Sequence, residues 1–290
     1  MERLPAYLLV LLSTIMLQIT GKVIEMGMFP EAPDYSFYNC RKEMLQMVTK
    51  PGGLLQIEIN NNTGFQDMWK NSRPCTKSIP GATSEHMTAL HVYVADNKFR
   101  TNFDKIYSKS TGGSTYQDEF PFKSVFFLLT DAMSLLKKNC RTVYSGAEEE
   151  YKTKVGEKVR FKSFFPAMLK LTDATENAST GEFGTVFSIN SCSAIELDAN
   201  GCNSEEMDLL ISPTEVFTVE NIEIVHNSND NYKHITLKHS EYQSKSDCSS
   251  LVSSVSKTEE SKESSSSLLS SSFLNMMASL LVVYFYTMTV

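Results

Sequence analysis

The residues with the clearest chemistry in this 290-residue chain are six cysteines: Cys40, Cys75, Cys140, Cys192, Cys202 and Cys248. Their number is even and no two form a C-x-x-C pair. They therefore point to disulfides, not to zinc or to thioredoxin-type exchange. Spacing alone leaves the pairing open. Histidine adds little. His86 and His91 are five apart, as are His234 and His239, and a step of five puts neither pair on one face of a helix or strand. With His226 they read as ordinary core or surface residues, with no metal site. The Glu148–Glu150 run reads as a solvated loop. There is no G-x-S-x-G, no P-loop and no G-x-G-x-x-G. Asn61 (NNT) and Asn177 (NAS) are acceptors for N-glycosylation in a secreted chain.

The two ends say that the chain is secreted. Residues 1–21, MERLPAYLLVLLSTIMLQITG, have a basic start, an apolar stretch and a small-residue exit, which is a signal peptide. Residues 249–272 hold 13 serines in 24 positions and bury too little surface to fold. They lead into the apolar tail Phe273–Val290, which has no basic flank. Small residues, a polar spacer and a terminal apolar tail make a GPI-anchor signal, with attachment expected within Ser261–Ser266. A retained 18-residue span is the alternative, and the missing Lys/Arg cluster argues against it. The net charge of −7, with no basic run, excludes a nucleic-acid surface.

Between these ends lies one domain, 22–248. Its first half carries helical patterns: 35–50, with Tyr38, Met44 and Met47 at helical spacing, then 64–71, then 83–95, where Ser84 can act as cap. The strongest is FPFKSVFFLLTDAMSLLKK over 120–138, with Pro121 near its start and lysines at its end. After Cys140 the runs are β-rich: CRTVYSG, KVRFKSFF, GTVFSINSC, MDLLISPTEVFTVENIEIV and HITLKH. Helices first and strands later predict an α+β fold.

Four of these stretches together resemble the vertebrate arginine-specific mono-ADP-ribosyltransferases, which are ecto-enzymes. They are FPFKSVFFLLTDAMSLLKKNCRTVYSG (120–146), GEKVRFKSFF (156–165), FGTVFSINSC (183–192) and EEMDLLISPTEVFTV (205–219). EHMTALHVYVADNKFRTNF (85–103) is similar to that family's helical region. The resemblance spans roughly residues 25–245. It implies a helical N-terminal part packed on a β-sandwich core with a cleft for NAD. It also implies the disulfides Cys140–Cys192 and Cys40–Cys248, which leaves Cys75–Cys202. Several members of the family carry a signal peptide and a GPI tail.

The family's activity moves ADP-ribose from NAD, its substrate, to a protein arginine and releases nicotinamide. The resemblance places NAD against Ser145, Gly146, Tyr116 and Ser163, and the reaction at Ser145, Pro166, Glu206 and Asp208. Three of these last four depart from the family pattern. Ser145 stands in V-Y-S-G where family members have the arginine that grips the pyrophosphate with a rigid fork. Pro166 stands where a serine holds the catalytic carboxylate, and proline has neither hydroxyl nor amide hydrogen. Asp208 ends E-x-D where the family has E-x-E, one methylene shorter. Glu206, the residue that orients the acceptor arginine, is retained. Arg141 sits about 13 Å from Ser145 along a strand and is no substitute. Lys123 and Arg160 are read as structural.

The expectation is therefore an NAD(P)+–protein-arginine ADP-ribosyltransferase weakened at its motifs. Its partners would be NAD, protein arginines and cell-surface proteins, with membrane contact through the lipid anchor. The alternative is a catalytically silent, GPI-anchored binding protein of the same fold. NAD hydrolysis without arginine transfer is a third expectation.

Overall fold

The computed structural model describes residues 23–249, apart from 31, 34, 78, 111–113, 137–138, 181–182, 203, 205, 227–230, 243–244 and 247. The signal peptide, nearly all of the serine-rich segment and the apolar tail lie outside the described residues. No described helix is long and apolar enough to cross a membrane.

The helices are α1 (Arg41–Thr49), α2 (Leu54–Asn61), α3 (Thr63–Asn71), α4 (Ser84–Ala95), α5 (Asn97–Tyr107), α6 (Ser114–Glu119), α7 (Lys123–Leu135) and α8 (Leu171–Ala178). The strands are β1 (Val23–Glu25), β2 (Tyr35–Ser36), β3 (Arg141–Ala147), β4 (Glu150–Lys152), β5 (Lys158–Val159), β6 (Phe165–Ala167), β7 (Gly184–Ser191), β8 (Ile195–Glu196), β9 (Leu209–Ile211), β10 (Glu215–His226), β11 (Asn231–Tyr242) and β12 (Lys245–Ser246). The predicted α+β order is present, with α8 inserted among the strands.

Several helix starts differ from the sequence expectation. Residues 35–40 form a short strand and one 3₁₀ turn before α1, and Tyr38 is 87% exposed while Met44 and Val48 are buried. Thr83, not Ser84, caps α4: its backbone N–H donates to His86 Nδ1 at 2.9 Å, completing a capping box. The strongest helix begins at Lys123, two residues after Pro121, because a distant side chain receives its first N–H groups. Glu58 accepts from Lys123 N at 2.9 Å and from Ser124 N at 3.0 Å.

The strands form a five-stranded sheet in the order β3-β7-β11-β10-β5 and a three-stranded sheet, β6-β9-β8. β7 and β11 run parallel and the other pairs in these two sheets are antiparallel. The sandwich core lies between the sheets: Val143, Phe187, Ile189, Phe217 and Leu237 from one, Ala167, Leu209 and Ile211 from the other. A second core fills the helical half with aromatic rings. Phe164 joins the two halves. Its ring is within 6.5 Å of those of Tyr93, Phe103, Tyr107 and Phe126, while its neighbour Phe165 packs on the sandwich side.

Three disulfides, Cys40–Cys248, Cys75–Cys202 and Cys140–Cys192, tie the domain together in the pairs that the resemblance implies. The first closes 208 residues, which in the chain-entropy view removes about 5 kcal/mol from the unfolded ensemble.

Candidate active site

The motif residues meet where the two sheets touch. β3 pairs along β7, placing Ser145 opposite Phe187. Beyond β6, Met168 forms an isolated bridge to Tyr144, the residue before Ser145. On the other edge of β6, Pro166 opposes Leu210 and Ala167 opposes Leu209. Asp208 continues that register: its N–H donates to Ala167 O at 3.0 Å. Its carboxylate Oδ2 accepts from Leu169 N at 2.8 Å. Backbone pairing alone thus brings Ser145, Pro166 and Asp208 to one junction.

Glu206 and Asp208 flank Met207 in the segment that leads into β9, Glu206 exposed and Asp208 half-buried. Met207 between them is buried at 3% exposure in the helical core. The segment before them is anchored by Cys75–Cys202 and by Thr76 N to Gly201 O at 3.1 Å. Gly201 has φ of +68°, and a Cβ there would lie 2.1 Å from Thr76 Oγ1.

The other residues expected around NAD have different places. Gly146 lets α8 sit on β3: a Cβ would fall 1.8 Å from Ala174 O. Gly184 does the same on β7, 2.2 Å from Ala178 O. Ser163 Oγ donates to Asp104 Oδ1 at 2.6 Å, on the helical side. Tyr116 has no exposure and packs among Tyr35, Phe120 and Phe126, so it is a core residue. Ser145 itself is 5% exposed, beneath the junction.

The basic residues considered as substitutes for the motif arginine are all engaged. Arg141 Nη1 donates to Glu196 Oε2 at 2.9 Å at the far end of β3. There it borders a cavity of about 620 Å³ between the helical and strand halves, whose lining includes none of the motif residues. Lys123 Nζ donates to Phe120 O at 2.6 Å. Arg160 is 1% exposed and donates to the carbonyls of Met28, Phe29, Ala32 and Pro213, fixing the N-terminal segment to the sandwich.

Beside the junction lies a polar network on α4 and α5. Glu206 Oε1 accepts from Asn97 Nδ2 at 2.8 Å, and Oε2 accepts from Arg100 Nη2. Asp104, one turn further on, accepts from Tyr93 Oη at 2.7 Å and from Ser163. Burial pushes the Asp104 carboxyl up to about 6, against those hydrogen bonds and the nearby Arg100 charge. Sequence reasoning missed Asn97, Arg100 and Asp104, because no local pattern ties them to a motif 100 residues away.

Among the described residues, Cys192, Glu215 and His239 are the one group of three that could approach a cation. The Cys192 sulfur is committed to Cys140, and Glu215 is saturated by Ser191, Cys192 N, Ser193 and His239. Asn61 ends α2 and Asn177 lies on α8, both exposed, as a glycan would require.

A helical half on a two-sheet sandwich, with Asp208 at the sheet junction, defines an ADP-ribosyltransferase fold. A solved variant of the eukaryotic mono-ADP-ribosyltransferase ART2.2, in complex with NADH, superposes with a TM-score of 0.61 at 21% identity, over 78% of this chain and 98% of that one. The chain belongs to the NAD:arginine ADP-ribosyltransferase family, which matches residues 26–246. Ecto-ADP-ribosyltransferase 5 of Bos taurus is 28% identical over 68% of this chain and 66% of its own length, just under two thirds of that protein. The GPI-linked NAD(P)(+)–arginine ADP-ribosyltransferase 1 of Mus musculus is 26% identical over 71% of this chain and 67% of its own length.

Proposed function

We propose that this chain is a cell-surface, GPI-anchored NAD(P)+–arginine ADP-ribosyltransferase whose rate is lowered by Ser145, Pro166 and Asp208. The observation that supports the reading is the backbone pairing that joins the segments of Ser145, Pro166 and Asp208 at the β3–β6–β9 junction. NAD is the substrate and nicotinamide the leaving group. Protein arginines of neighbouring surface proteins are the acceptors. The ecto- and GPI-linked names of the relatives support the location, as do the leader and tail of the sequence.

In this reading Asp208 faces the positive charge that develops on the ribose as the nicotinamide bond breaks. The Leu169 N–H fixes one of its oxygens, so the carboxylate enters the reaction already oriented. Its side chain stops one methylene short of a glutamate, and a 1 Å displacement can cost on the order of 100-fold in rate. Ser145 offers the pyrophosphate one neutral hydrogen bond where a charged fork would offer two. The silent-protein reading draws on that same missing charge.

The test is incubation of the purified protein with labelled NAD and agmatine. Slow nicotinamide release that disappears in Asp208→Ala is the expected result. Nicotinamide release at the blank rate in the unchanged protein and in Asp208→Glu would favour the silent surface protein.

A further inference from the structure

We propose that Arg100 is a specificity-determining residue, holding the Glu206 carboxylate in place of an acceptor guanidinium and so disfavouring cationic acceptors. The inference rests on the reading of Glu206 as the acceptor carboxylate.

Asn97 and Arg100 are three residues apart on α5 and present one face to Glu206. Both oxygens of Glu206 are engaged, one by an amide and one by a guanidinium. The guanidinium is built in. Arg100 is 8% exposed, and its Nη1 donates to Val94 O at 3.1 Å and to Tyr93 O at 3.4 Å. These carbonyls lie at the C-terminal end of α4, where a cation is favoured. Asp104, one turn further along α5, is close enough for its charge to act on Arg100. The Arg100 cation is thus held by the α4 carbonyls, while the Glu206 side chain it binds is 50% exposed.

An external guanidinium faces two obstacles at this carboxylate. Displacing Arg100 requires it to outcompete a group already in place, which has no association entropy to lose. Sharing Glu206 puts two like charges a few ångströms apart. Water meets neither obstacle. Hydrolysis therefore competes with arginine transfer in the same NAD activation. The ribose–nicotinamide C–N bond breaks, nicotinamide leaves with the bonding pair, a water oxygen bonds to the ribose carbon, and one proton passes to solvent. The products are ADP-ribose and nicotinamide.

The test is calorimetric titration of agmatine into the disulfide-intact full-length protein, the Arg100→Met variant, and Arg100→Met combined with Glu206→Gln. The expected result is at least tenfold tighter agmatine binding in Arg100→Met, lost again when Glu206→Gln is added. Equal affinity of the unchanged protein and Arg100→Met would overturn the proposal, as would a gain that survives Glu206→Gln. Arg100→Lys guards against misfolding of the methionine variant. Lysine keeps a cation for Asp104 and the α4 carbonyls but lacks the fork that reaches Glu206 as well. Its expected gain is about threefold, and no gain in a folded lysine variant also overturns the proposal. NAD consumption is followed in the same samples. If no sample consumes NAD, the catalytic reading fails while the agmatine affinities still decide the role of Arg100. If NAD is consumed, the ratio of hydrolysis to agmatine transfer falls at least tenfold in Arg100→Met.

Discussion

Tyr144 and Met168 exchange both backbone hydrogen bonds, at 3.0 and 2.7 Å, and this bridge fastens the strand of Ser145 to the segment that carries Pro166. Asp208 hangs from the opposite side of that segment through Ala167 O and Leu169 N. Main-chain pairing builds this frame, so side chains can change at Ser145, Pro166 and Asp208 while the frame persists.

The combined change Ser145→Arg, Pro166→Ser, Asp208→Glu is therefore expected to raise NAD-dependent agmatine labelling at least 100-fold over the unchanged protein. The three single changes should fall well short of that factor, because such residues act as a unit. Ser145 is 5% exposed, so the new arginine must extend into the cleft. Single-turnover labelling with each variant measures the gain. A combined variant that folds and labels no faster would remove the motif positions as the cause of slow chemistry.

Gly146 has a packing role that can be tested apart from catalysis. A methyl group there meets the Ala174 carbonyl at 1.8 Å, so α8 must lift off β3. Gly146→Ala is expected to cost on the order of 3 kcal/mol. At this chain length that corresponds to a Tm lower by roughly 6–12 °C. A thermal scan within 2 °C of the unchanged protein would show that the helix yields freely.

Much of this frame is legible in the sequence, for particular physical reasons. CRTVYSG and GTVFSINSC read as strands because β-branched and aromatic residues dominate them, and they are β3 and β7. The polar run LTDATENA, which forms α8, shows no comparable pattern, and only its alanines reach the core. LLQIEINN forms α2 although its asparagines suggest a loop, because Leu54, Leu55 and Ile59 are buried. Tyr38 joined an apolar spacing in the sequence but points to solvent, because the helix starts three residues later. At the site, E-M-D is visible in the sequence through a family resemblance. The Arg100–Glu206 pair, 106 residues apart, is not, since tertiary packing alone creates it.

Phe164 is the ring through which the strand half enters the helical core, at 2% exposure. Phe164→Ala empties a site ringed by Tyr93, Phe103, Tyr107 and Phe126, at an expected cost of about 3–5 kcal/mol. The same change should loosen Ser163 and its bond to Asp104, and with them the network that holds Glu206. Denaturant unfolding measures the first effect. Faster amide exchange at Ser163–Phe165 than in α7 measures the second.

Glu58 makes stability depend on pH in a direction opposite to that of most carboxylates. It is buried beneath the start of α7, and desolvation raises its carboxyl from 4.5 to about 7, against the hydrogen bonds from Ser124 and Lys123 and the Lys123 charge. The folded protein then holds this proton more tightly than the unfolded chain does. The protonated form's contribution is complete below pH 4.5 and is lost as pH rises through about 7. Asp104, raised from 3.8 to about 6, acts in the same direction over a lower window. The free energy of unfolding is therefore expected to fall between pH 4.5 and pH 7.5, by up to about 3 kcal/mol from Glu58. Glu58→Gln retains the shape, cannot ionise, and should flatten that part of the profile. Chemical denaturation at half-unit pH steps, with the disulfides intact, reads the slope. A profile that rises over this range, or one unchanged by Glu58→Gln, would mean that the helix N-terminus keeps Glu58 ionised in the folded state.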